Sequence, residues 1–192
     1  MIDAIVYQFG PLLYKTNVSK KDLAKVKKLC SKTNKDARHT LAGVINHEYE
    51  IDEKKYAQIL QPYLQLFQKE WHRLYNSPLQ KLKCTSAWVN YMKKGEANPP
   101  HIHTNCDLSS VMYLQIPKKL KQENKNYKGT SAGPGGIVYS YGENRDFTVH
   151  EYYFFPEEAQ LFVFPYNLRH YVIPFKSEGE RISVAANLKI LC

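Results

Sequence analysis

Residues 160–191, QLFVFPYNLRHYVIPFKSEGERISVAANLKIL, carry the pattern that decides the fold. Short runs of apolar, β-branched and aromatic residues alternate here with segments that contain Pro, Asn, Gly or Ser. Runs of this length and composition are typical of strands, and the segments between them are typical of turns. We therefore predict three strands, over 160–164, 170–175 and 181–191.

The same pattern extends upstream to about residue 80. It predicts four more strands, at 82–92, 108–116, 136–141 and 147–155. Seven short strands at close spacing favour an all-β sandwich or a barrel-like jelly roll. Residues 117–136 interrupt the pattern because they are rich first in lysine and then in glycine, and we expect a long exposed loop there.

The N-terminal part follows a different pattern. Residues 2–14 are apolar and predict one or two short strands, and Ser19 with Asp22 has the spacing of a helix N-terminus. Residues 53–76 predict a helix that is kinked at Pro62, or two helices in series, because Pro62 interrupts an apolar stripe that suits one face of a sheet. The stripe consists of Tyr56, Ile59, Leu60, Tyr63, Phe67, Trp71 and Leu74.

Length and composition predict one domain over 1–192, with 1–80 as a strand and helical support and 81–192 as the β core. A hydrophobic fraction of 43% excludes a disordered chain, and no apolar run approaches a membrane span. The net charge of +9 favours an anionic partner only weakly, and no motif supports nucleic-acid binding. Because we find no export signal and the four cysteines are scattered, we expect reduced thiols in a cytoplasmic protein.

Two of the seven histidines form a pair that suits metal binding. His101 and His103 precede a predicted strand, and residues i and i+2 of an extended chain face the same side, about 6.6 Å apart. Two imidazoles placed in this way could bind one metal ion. His170 lies just after the strand that ends at residue 164, so it could join them.

Arg181 is the unusual residue of the last strand. A buried arginine is costly unless an anion pairs with it, and no acidic residue occurs within that strand. The partner could be Glu178 or Glu180 nearby, or a bound carboxylate, and we favour the bound carboxylate.

These residues lie in four segments which together resemble a known family. The segments are Trp88-Val89-Asn90 with Gly95 before His101, Leu108 to Leu114, Phe164-Pro165 before His170, and Arg181-Ile182-Ser183. In this order and at this spacing the chain resembles the Fe(II)/2-oxoglutarate-dependent oxygenases, and in particular a family of 2OG-Fe(II) oxygenases whose substrate is unknown.

The resemblance implies a mainly β fold with N-terminal α structure, namely a double-stranded β-helix (a cupin-like jelly roll) with helices packed on its outside. It implies an enzyme that uses Fe(II), 2-oxoglutarate and O2, in which His101 and His170 bind the iron. Arg181 would then hold the distal carboxylate of 2-oxoglutarate, with Ser183 and Tyr113 as hydrogen-bonding partners.

The third metal ligand departs from the usual pattern. Such sites normally combine two histidines with one carboxylate, in a His-x-Asp pair, but here His103 stands at the Asp position. We favour His103 as the ligand. Asp107 is the alternative if the chain turns back over the about 13 Å that separates the two residues when extended. The remaining possibility is that only two protein histidines bind.

Two other functions fit the same residues. A cupin-like dioxygenase that does not use 2-oxoglutarate would keep the three histidines and leave Arg181 to bind its substrate. A non-catalytic jelly-roll module would only hold a small anion. In each case we place Asn90 and the 117–136 segment at the substrate rim, where the lysines indicate a polar or anionic substrate.

Overall fold

Ten strands and three α-helices make up the part of the chain that the computed structural model describes, residues 10–191. The strands are β1 Tyr14–Asn17, β2 Glu48–Glu50, β3 Leu82–Met92, β4 Asn98–His101, β5 Leu108–Gln115, β6 Ile137–Ser140, β7 Glu151–Phe154, β8 Gln160–Pro165, β9 Arg169–Val172 and β10 Arg181–Ile190. The α-helices are α1 Lys20–Leu29, α2 Glu53–Tyr75 and α3 Lys118–Lys125, and a short 3-10 helix covers Arg38–Thr40. All seven predicted strands are present, although β7 and β9 are shorter than expected.

The strands form two antiparallel sheets that face each other. The larger sheet has the order β1-β8-β5-β10-β3-β2, and the smaller has the order β4-β9-β6-β7. Aromatic and aliphatic side chains from both sheets, such as Phe162, Phe164, Tyr139 and Val172, pack in one core between them. The jelly-roll prediction is confirmed.

Side chains of the central strands alternate between two environments. Because successive residues of a strand point to opposite faces, each strand of the larger sheet has a face toward the helices and a face toward the smaller sheet. The face toward the helices carries Ala87, Val89, Met112, Leu114, Val184, Ala186 and Leu188. The face toward the smaller sheet borders a cavity and carries Trp88, Asn90, Tyr113, Arg181, Ser183 and Ala185.

Helices α1 and α2 cover the outer face of the larger sheet, as expected. Ser19 accepts a hydrogen bond from the Asp22 backbone N–H at the start of α1, so the predicted N-cap is confirmed. Helix α2 continues through Pro62, so there are not two helices in series, and it ends at Asn76, whose φ of 48° is left-handed. Tyr56, Leu60, Tyr63, Leu64 and Phe67 are its buried residues.

The prediction of an exposed loop over 117–136 is wrong in its first half. Residues 118–125, KKLKQENK, form α3, because most of them favour helix and Leu120 is fully buried. Strands β2 and β4 are short and polar, and the sequence pattern did not predict them. Residues 2–9 of the predicted N-terminal strand lie outside the described residues, and β1 begins only at Tyr14. None of the helices within residues 10–191 has both the length and the apolar character needed to cross a bilayer.

Candidate functional site

Strand pairing brings the three predicted histidines together. His101 of β4 lies directly opposite His170 of β9, so both side chains project to the same side of the smaller sheet. His103 follows β4, and its backbone N–H donates to the Tyr166 carbonyl at 2.9 Å. That hydrogen bond ties the segment after β4 to the chain just before β9.

The three imidazoles face one point in the cavity. Their ligand nitrogens all lie within 4.8 Å of one another, and the Nε2 atoms of His103 and His170 are 3.2 Å apart. Two nitrogens bound to one ion at about 2.1 Å are at most about 4.2 Å apart, so a small rotation of the rings would complete the site. Among the described residues, this is the single group of His, Cys, Asp and Glu side chains with such a geometry.

Backbone carbonyls orient two of the rings. His101 Nδ1 lies 2.7 Å from the Pro99 carbonyl oxygen, and His170 Nδ1 lies 2.9 Å from the Leu168 carbonyl oxygen. A carbonyl only accepts, so in both rings Nδ1–H is the donor and Nε2 keeps its lone pair. Protein metal sites commonly hold their histidines in this way.

The surroundings keep the imidazoles neutral. Burial, together with a smaller effect of the neighbouring histidines, lowers the pKa of His170 to about 3 and that of His103 to about 4. Burial also lowers the pKa of His101. A metal ion binds only the neutral form, so the cluster is prepared for a cation at neutral pH.

Asp107, the alternative third ligand, lies elsewhere. Its Oδ2 accepts a hydrogen bond from the Ile190 backbone N–H at 2.8 Å, and its Oδ1 lies 3.7 Å from Lys189 Nζ. Its carboxylate therefore ties the start of β5 to the end of β10, away from the histidines. No carboxylate belongs to the cluster among the described residues.

Arg181 lies in the same cavity as the histidines, and none of the acidic residues within 10–191 pairs with it. It is 3% exposed, its Nε donates to the Gly135 carbonyl at 3.2 Å, and its Cζ lies 4.9 Å from the centre of the Tyr113 ring. One of its terminal nitrogens, Nη2, has no hydrogen-bond partner. Burial lowers the pKa of Arg181, yet a guanidinium stays charged in proteins.

The local acidic residues do not neutralise Arg181. Glu178 pairs with Lys94, and Glu180 pairs with Lys32 at 2.5 Å. Of the two alternatives for the partner of Arg181, a bound anion is the one that this arrangement supports.

Tyr113 and Ser183 complete this end of the cavity. Ser183 of β10 lies opposite Tyr113 of β5, and both are buried next to Arg181. The Tyr113 hydroxyl has no hydrogen-bond partner by distance and angle in the described part of the chain, and burial raises its pKa against the opposing effect of the nearby Arg181, so it stays a neutral phenol. Arg181 and Tyr113 thus present unpaired donors to the same cavity.

The structure shows where the residues predicted at the substrate rim lie relative to the cavity. Asn90 is 7% exposed and lies inside the cavity, opposite Ser183 of the neighbouring strand, because the register of β3 and β10 places it on the inner face. The side chains of 117–136 do not line the cavity. The Tyr127 hydroxyl, for example, lies 3.0 Å from the Ser131 hydroxyl of the same segment. The contribution of that segment is the Gly135 carbonyl that holds Arg181.

The sequence patterns missed three residues of this region. Glu48 lies on the unpredicted strand β2, Asn98 begins the unpredicted strand β4, and Gly135 lies in the glycine-rich segment. The alternation in Glu48-Tyr49-Glu50 could have indicated an extended segment, but nothing in it signals the burial of Glu48.

The comparisons with known proteins agree with this geometry. A family model described as "Putative 2OG-Fe(II) oxygenase" matches residues 86–187, more than half of the 192 residues. The matched range includes all three histidines, Tyr113 and Arg181, and leaves out residues 10–85. None of the curated proteins matches the chain.

Solved structures share the fold at low sequence identity. An oxidoreductase of the 2OG-Fe(II) oxygenase family from Burkholderia pseudomallei is 12% identical, with a TM-score of 0.62 over 93% of this chain and 84% of that one. A prolyl-4-hydroxylase from Pseudomonas putida is 16% identical, with a TM-score of 0.60 over 94% and 93%. The viral collagen prolyl hydroxylase of Paramecium Bursaria Chlorella virus-1, solved with 2OG, is 13% identical, with a TM-score of 0.59 over 93% and 96%.

Proposed function

Because the chain belongs to the family of 2OG-Fe(II) oxygenases, and is thus an oxidoreductase that uses Fe(II), 2-oxoglutarate and O2, we propose which of its residues hold the metal and the cosubstrate. The metal ligands are His101, His103 and His170. The far carboxylate of 2-oxoglutarate binds to Arg181, with Tyr113 as a second donor and Ser183 beside them. One observation carries the proposal: three neutral imidazoles and a buried arginine without an acidic partner line one cavity.

The donor set suits Fe(II). When bound, the ion supplies the redox chemistry that couples O2 and 2-oxoglutarate to oxidation of the substrate. Imidazole nitrogen is a common ligand of iron, and the lowered pKa values keep all three rings available near neutral pH. Since the ligands are neutral, the protein leaves the charge of the ion uncompensated, and a dianionic cosubstrate balances it.

The geometry favours His103 over Asp107 as the third metal ligand. The His103 Nε2 atom lies 3.2 Å from that of His170, whereas the Asp107 carboxylate is engaged by the end of β10. Moving Asp107 into the cluster would break its hydrogen bond to Ile190 and the pairing around it. The cluster needs no such rearrangement to hold an ion.

Arg181 is suited to bind a carboxylate and to orient it. The Gly135 carbonyl holds Nε, so the guanidinium cannot turn freely, and Nη2 remains available. The Tyr113 ring covers one face of the guanidinium. Burial excludes water from both donors, which strengthens a charged hydrogen bond to the ligand.

The cysteines support a reducing, cytoplasmic compartment as part of the proposal. Cys30, Cys84 and Cys106 are free thiols, all of them buried or half-buried. Burial raises the pKa of Cys30 to about 12 and that of Cys84 to about 11, so both thiols stay protonated. Unpaired cysteines of this kind are common where disulfides do not form.

Replacement of Arg181 tests the cosubstrate site. In Arg181→Ala the affinity for 2-oxoglutarate should fall about 10- to 150-fold, as expected for the loss of a charged hydrogen bond, while Fe(II) affinity is retained. Arg181→Lys should recover only part, because an ammonium lacks the planar fork. Calorimetric titration of 2-oxoglutarate into the anaerobic Fe(II)-loaded protein measures both.

Two further variants make this experiment decisive. His170→Ala should abolish metal binding, or weaken it severely, since it removes one of three ligands. Arg73→Ala is the matched control, because it removes an exposed arginine that pairs with Glu70 on α2 and should change neither affinity. Equal 2-oxoglutarate affinity in wild type and Arg181→Ala would refute the assignment.

A further inference from the structure

Several buried polar atoms on the facing sides of the two sheets have no hydrogen-bond partner among the described residues. At one end, Arg181 Nη2 and the Tyr113 hydroxyl are donors without partners. Three acceptors also have no partner among the described residues, Glu48 Oε2 and Asn90 Oδ1 on the larger sheet and Asn98 Oδ1 on the facing smaller sheet, and a fourth, Asn187 Oδ1, lies next to His103 instead. The donors suit the carboxylate of 2-oxoglutarate, and the acceptors suit a group that carries N–H or O–H donors.

Strand register places Glu48 beside the cavity. Glu48 of β2 lies opposite Asn90 of β3, and Asn90 lies opposite Ser183 of β10. Residues that lie opposite each other on neighbouring strands project to the same face, so Glu48 shares the inner face with Asn90, which lines the cavity. Glu48 is 1% exposed.

The segment before β2 closes over the Glu48 carboxylate. A Cβ atom on Gly43 would lie 2.9 Å from Glu48 Oε1 and 3.2 Å from Ile45 Cδ1, so the carboxylate lies against residues 43–45. Ile45 lines the same cavity, and Val44 pairs with Ala97 next to Asn98. The 43–48 segment therefore connects all three acceptors.

A second buried glutamate, Glu96, differs from Glu48 because both of its carboxylate oxygens accept hydrogen bonds. Glu96 Oε1 accepts from the backbone N–H and the side-chain amide of Asn46, at 3.0 and 2.8 Å, and its Oε2 accepts from the Lys93 backbone N–H at 2.6 Å. Glu96 thus anchors the 43–48 segment to the turn after β3. Glu48 has no hydrogen bond and no salt bridge of this kind among the described residues.

The buried carboxylate of Glu48 lowers the stability of the fold unless a ligand binds to it. Its pKa is raised to about 7, mainly by burial and also by the charges of Glu96 and Asp36, while Arg38 opposes them. A buried carboxyl without partners destabilises a fold, and buried charges are normally paired. A cation in the cavity would supply the missing partner.

We infer that Glu48 and Asn90, with Asn98, bind a basic group of the substrate, a primary ammonium or a guanidinium. This inference rests on the proposed function, because it assigns the Arg181 end of the cavity to 2-oxoglutarate. Both basic groups carry several N–H donors, and the three unpaired acceptors can share them. Glu48 lies outside the matched range 86–187, whereas Asn90 and Asn98 lie within it.

Ligand-detected NMR with model compounds tests the inference. Lysine and arginine blocked as N-acetyl methylamides serve as basic probes, and equally blocked norleucine and citrulline serve as uncharged probes of similar shape. Each probe is titrated into the apoprotein and into protein loaded with Zn(II) and 2-oxoglutarate, where Zn(II) is a redox-inert metal. The signals of 2-oxoglutarate report its own site in the same tube.

We expect wild type to bind a basic probe more tightly than its uncharged counterpart. Glu48→Gln should lower the affinity for the basic probe about 10- to 150-fold and leave the 2-oxoglutarate affinity unchanged. Glu50→Gln is the matched control: it removes the same charge two residues along β2, from a carboxylate already paired with Lys35 at 2.8 Å, and should change neither affinity.

The outcomes separate this inference from the proposed function. Equal binding of basic and uncharged probes, or equal binding of the basic probe to wild type and Glu48→Gln, would overturn the inference even if 2-oxoglutarate binds. Failure of 2-oxoglutarate to bind would overturn the proposed function, and the apoprotein titration would still decide the role of Glu48.

Thermal unfolding adds a measurement that distinguishes binding from support. If Glu48 serves a ligand, Glu48→Gln should have an unchanged or higher Tm at pH 8, because it removes an unpaired buried charge. A clear fall in Tm, combined with unchanged probe affinity, would assign Glu48 to the structure and overturn the inference.

Discussion

The two faces of the larger sheet differ in whether their buried side chains have unpaired polar atoms. On the face toward α1 and α2, residues such as Val89, Val184 and Leu188 are buried among other apolar groups. On the face toward the smaller sheet, Arg181 and Asn90 are equally inaccessible, yet each has a polar atom without a partner. The first face therefore stabilises the fold, and the second lowers stability in return for places where ligands bind.

The alternation of strand residues explains how both faces come from the same strands. In β10 the residues with odd numbers from 181 to 185 line the cavity, and those with even numbers from 184 to 188 join the apolar core. A shift of one residue in register would exchange the two sets. Substitutions on the helix side should thus change stability, and substitutions on the cavity side should change binding.

The largest effect should come from the helix side. Phe67 of α2 is fully buried, with its ring 5.6 Å from that of Tyr14, so Phe67→Ala should lower the free energy of unfolding by about 3–5 kcal/mol. Urea denaturation measures this. Leu66→Ala on the same helix removes a side chain that is 50% exposed and should cost about 0.5 kcal/mol or less.

The folded fraction of Phe67→Ala should bind 2-oxoglutarate as wild type does, because Phe67 does not line the cavity. A large loss of 2-oxoglutarate affinity together with a small loss of stability would contradict the separation of the two faces.

An intermediate effect is expected at Gly135, whose carbonyl accepts a hydrogen bond from Arg181 Nε. Its φ is +74°, and a Cβ there would lie 2.8 Å from Leu120, so Gly135→Ala should cost about 1–3 kcal/mol of stability. It should also displace the carbonyl that holds Arg181 Nε and weaken 2-oxoglutarate binding about fivefold, the loss expected for one hydrogen bond.

Gly142→Ala is the control for backbone strain. Gly142 has the same φ of +74°, but nothing lies within 4 Å of the position of its Cβ. It should cost about 1 kcal/mol and leave 2-oxoglutarate affinity unchanged. If the two variants weaken 2-oxoglutarate binding equally, Gly135 does not position Arg181.

The smallest effect should appear in the pH dependence of the metal-free protein. The pKa values of His170 and His103 in the folded protein lie near 3 and 4, below the usual 6.5. As the pH drops below about 6.5, the unfolded chain therefore takes up protons at these two histidines while the folded protein does not, and the free energy of unfolding falls. The pKa of Glu48 is raised from 4.5 to about 7, so its contribution has the opposite sign and stability rises as the pH falls from about 7 to 4.5.

Glu48→Gln removes the opposing contribution. Its stability should therefore decline more steeply than that of wild type between pH 7 and 4.5, by up to about 1.4 kcal/mol per pH unit for one titrating group. Urea denaturation at several pH values measures the slopes. A parallel decline in the two proteins would show that Glu48 does not titrate in this range.

The strands could be predicted from the sequence because their pattern is local. Residues 82–92 were predicted with the observed bounds, and 108–116 and 181–191 to within one residue, since alternation and flanking turn residues mark both ends. Strands β2 and β4 could not be predicted this way. They are three and four residues long, and β4 contains two prolines, so pairing with β3 and β9 makes them strands.

The candidate site was predictable only where a motif marks it. The His101-x-His103 spacing, the charge of Arg181 in an apolar strand and the position of His170 between them can all be read from the sequence. The role of Asp107 was not, because only the register of β5 and β10 places its carboxylate against Ile190. Asn90 was expected at the rim, and the same kind of register places it inside.

The sequence by itself determined the jelly-roll class, the capped helix α1, the apolar stripe of α2 and the candidate residues for Fe(II) and 2-oxoglutarate. These depend on periodicity, turn residues and side-chain chemistry, which are properties of neighbouring residues. Only the tertiary structure decided that Glu178 and Glu180 pair with lysines, and that within residues 10–191 neither Arg181 nor Glu48 has a partner of opposite charge. Whether a buried charge has a partner depends on which distant strands meet, and the strand order of the sheets determines that.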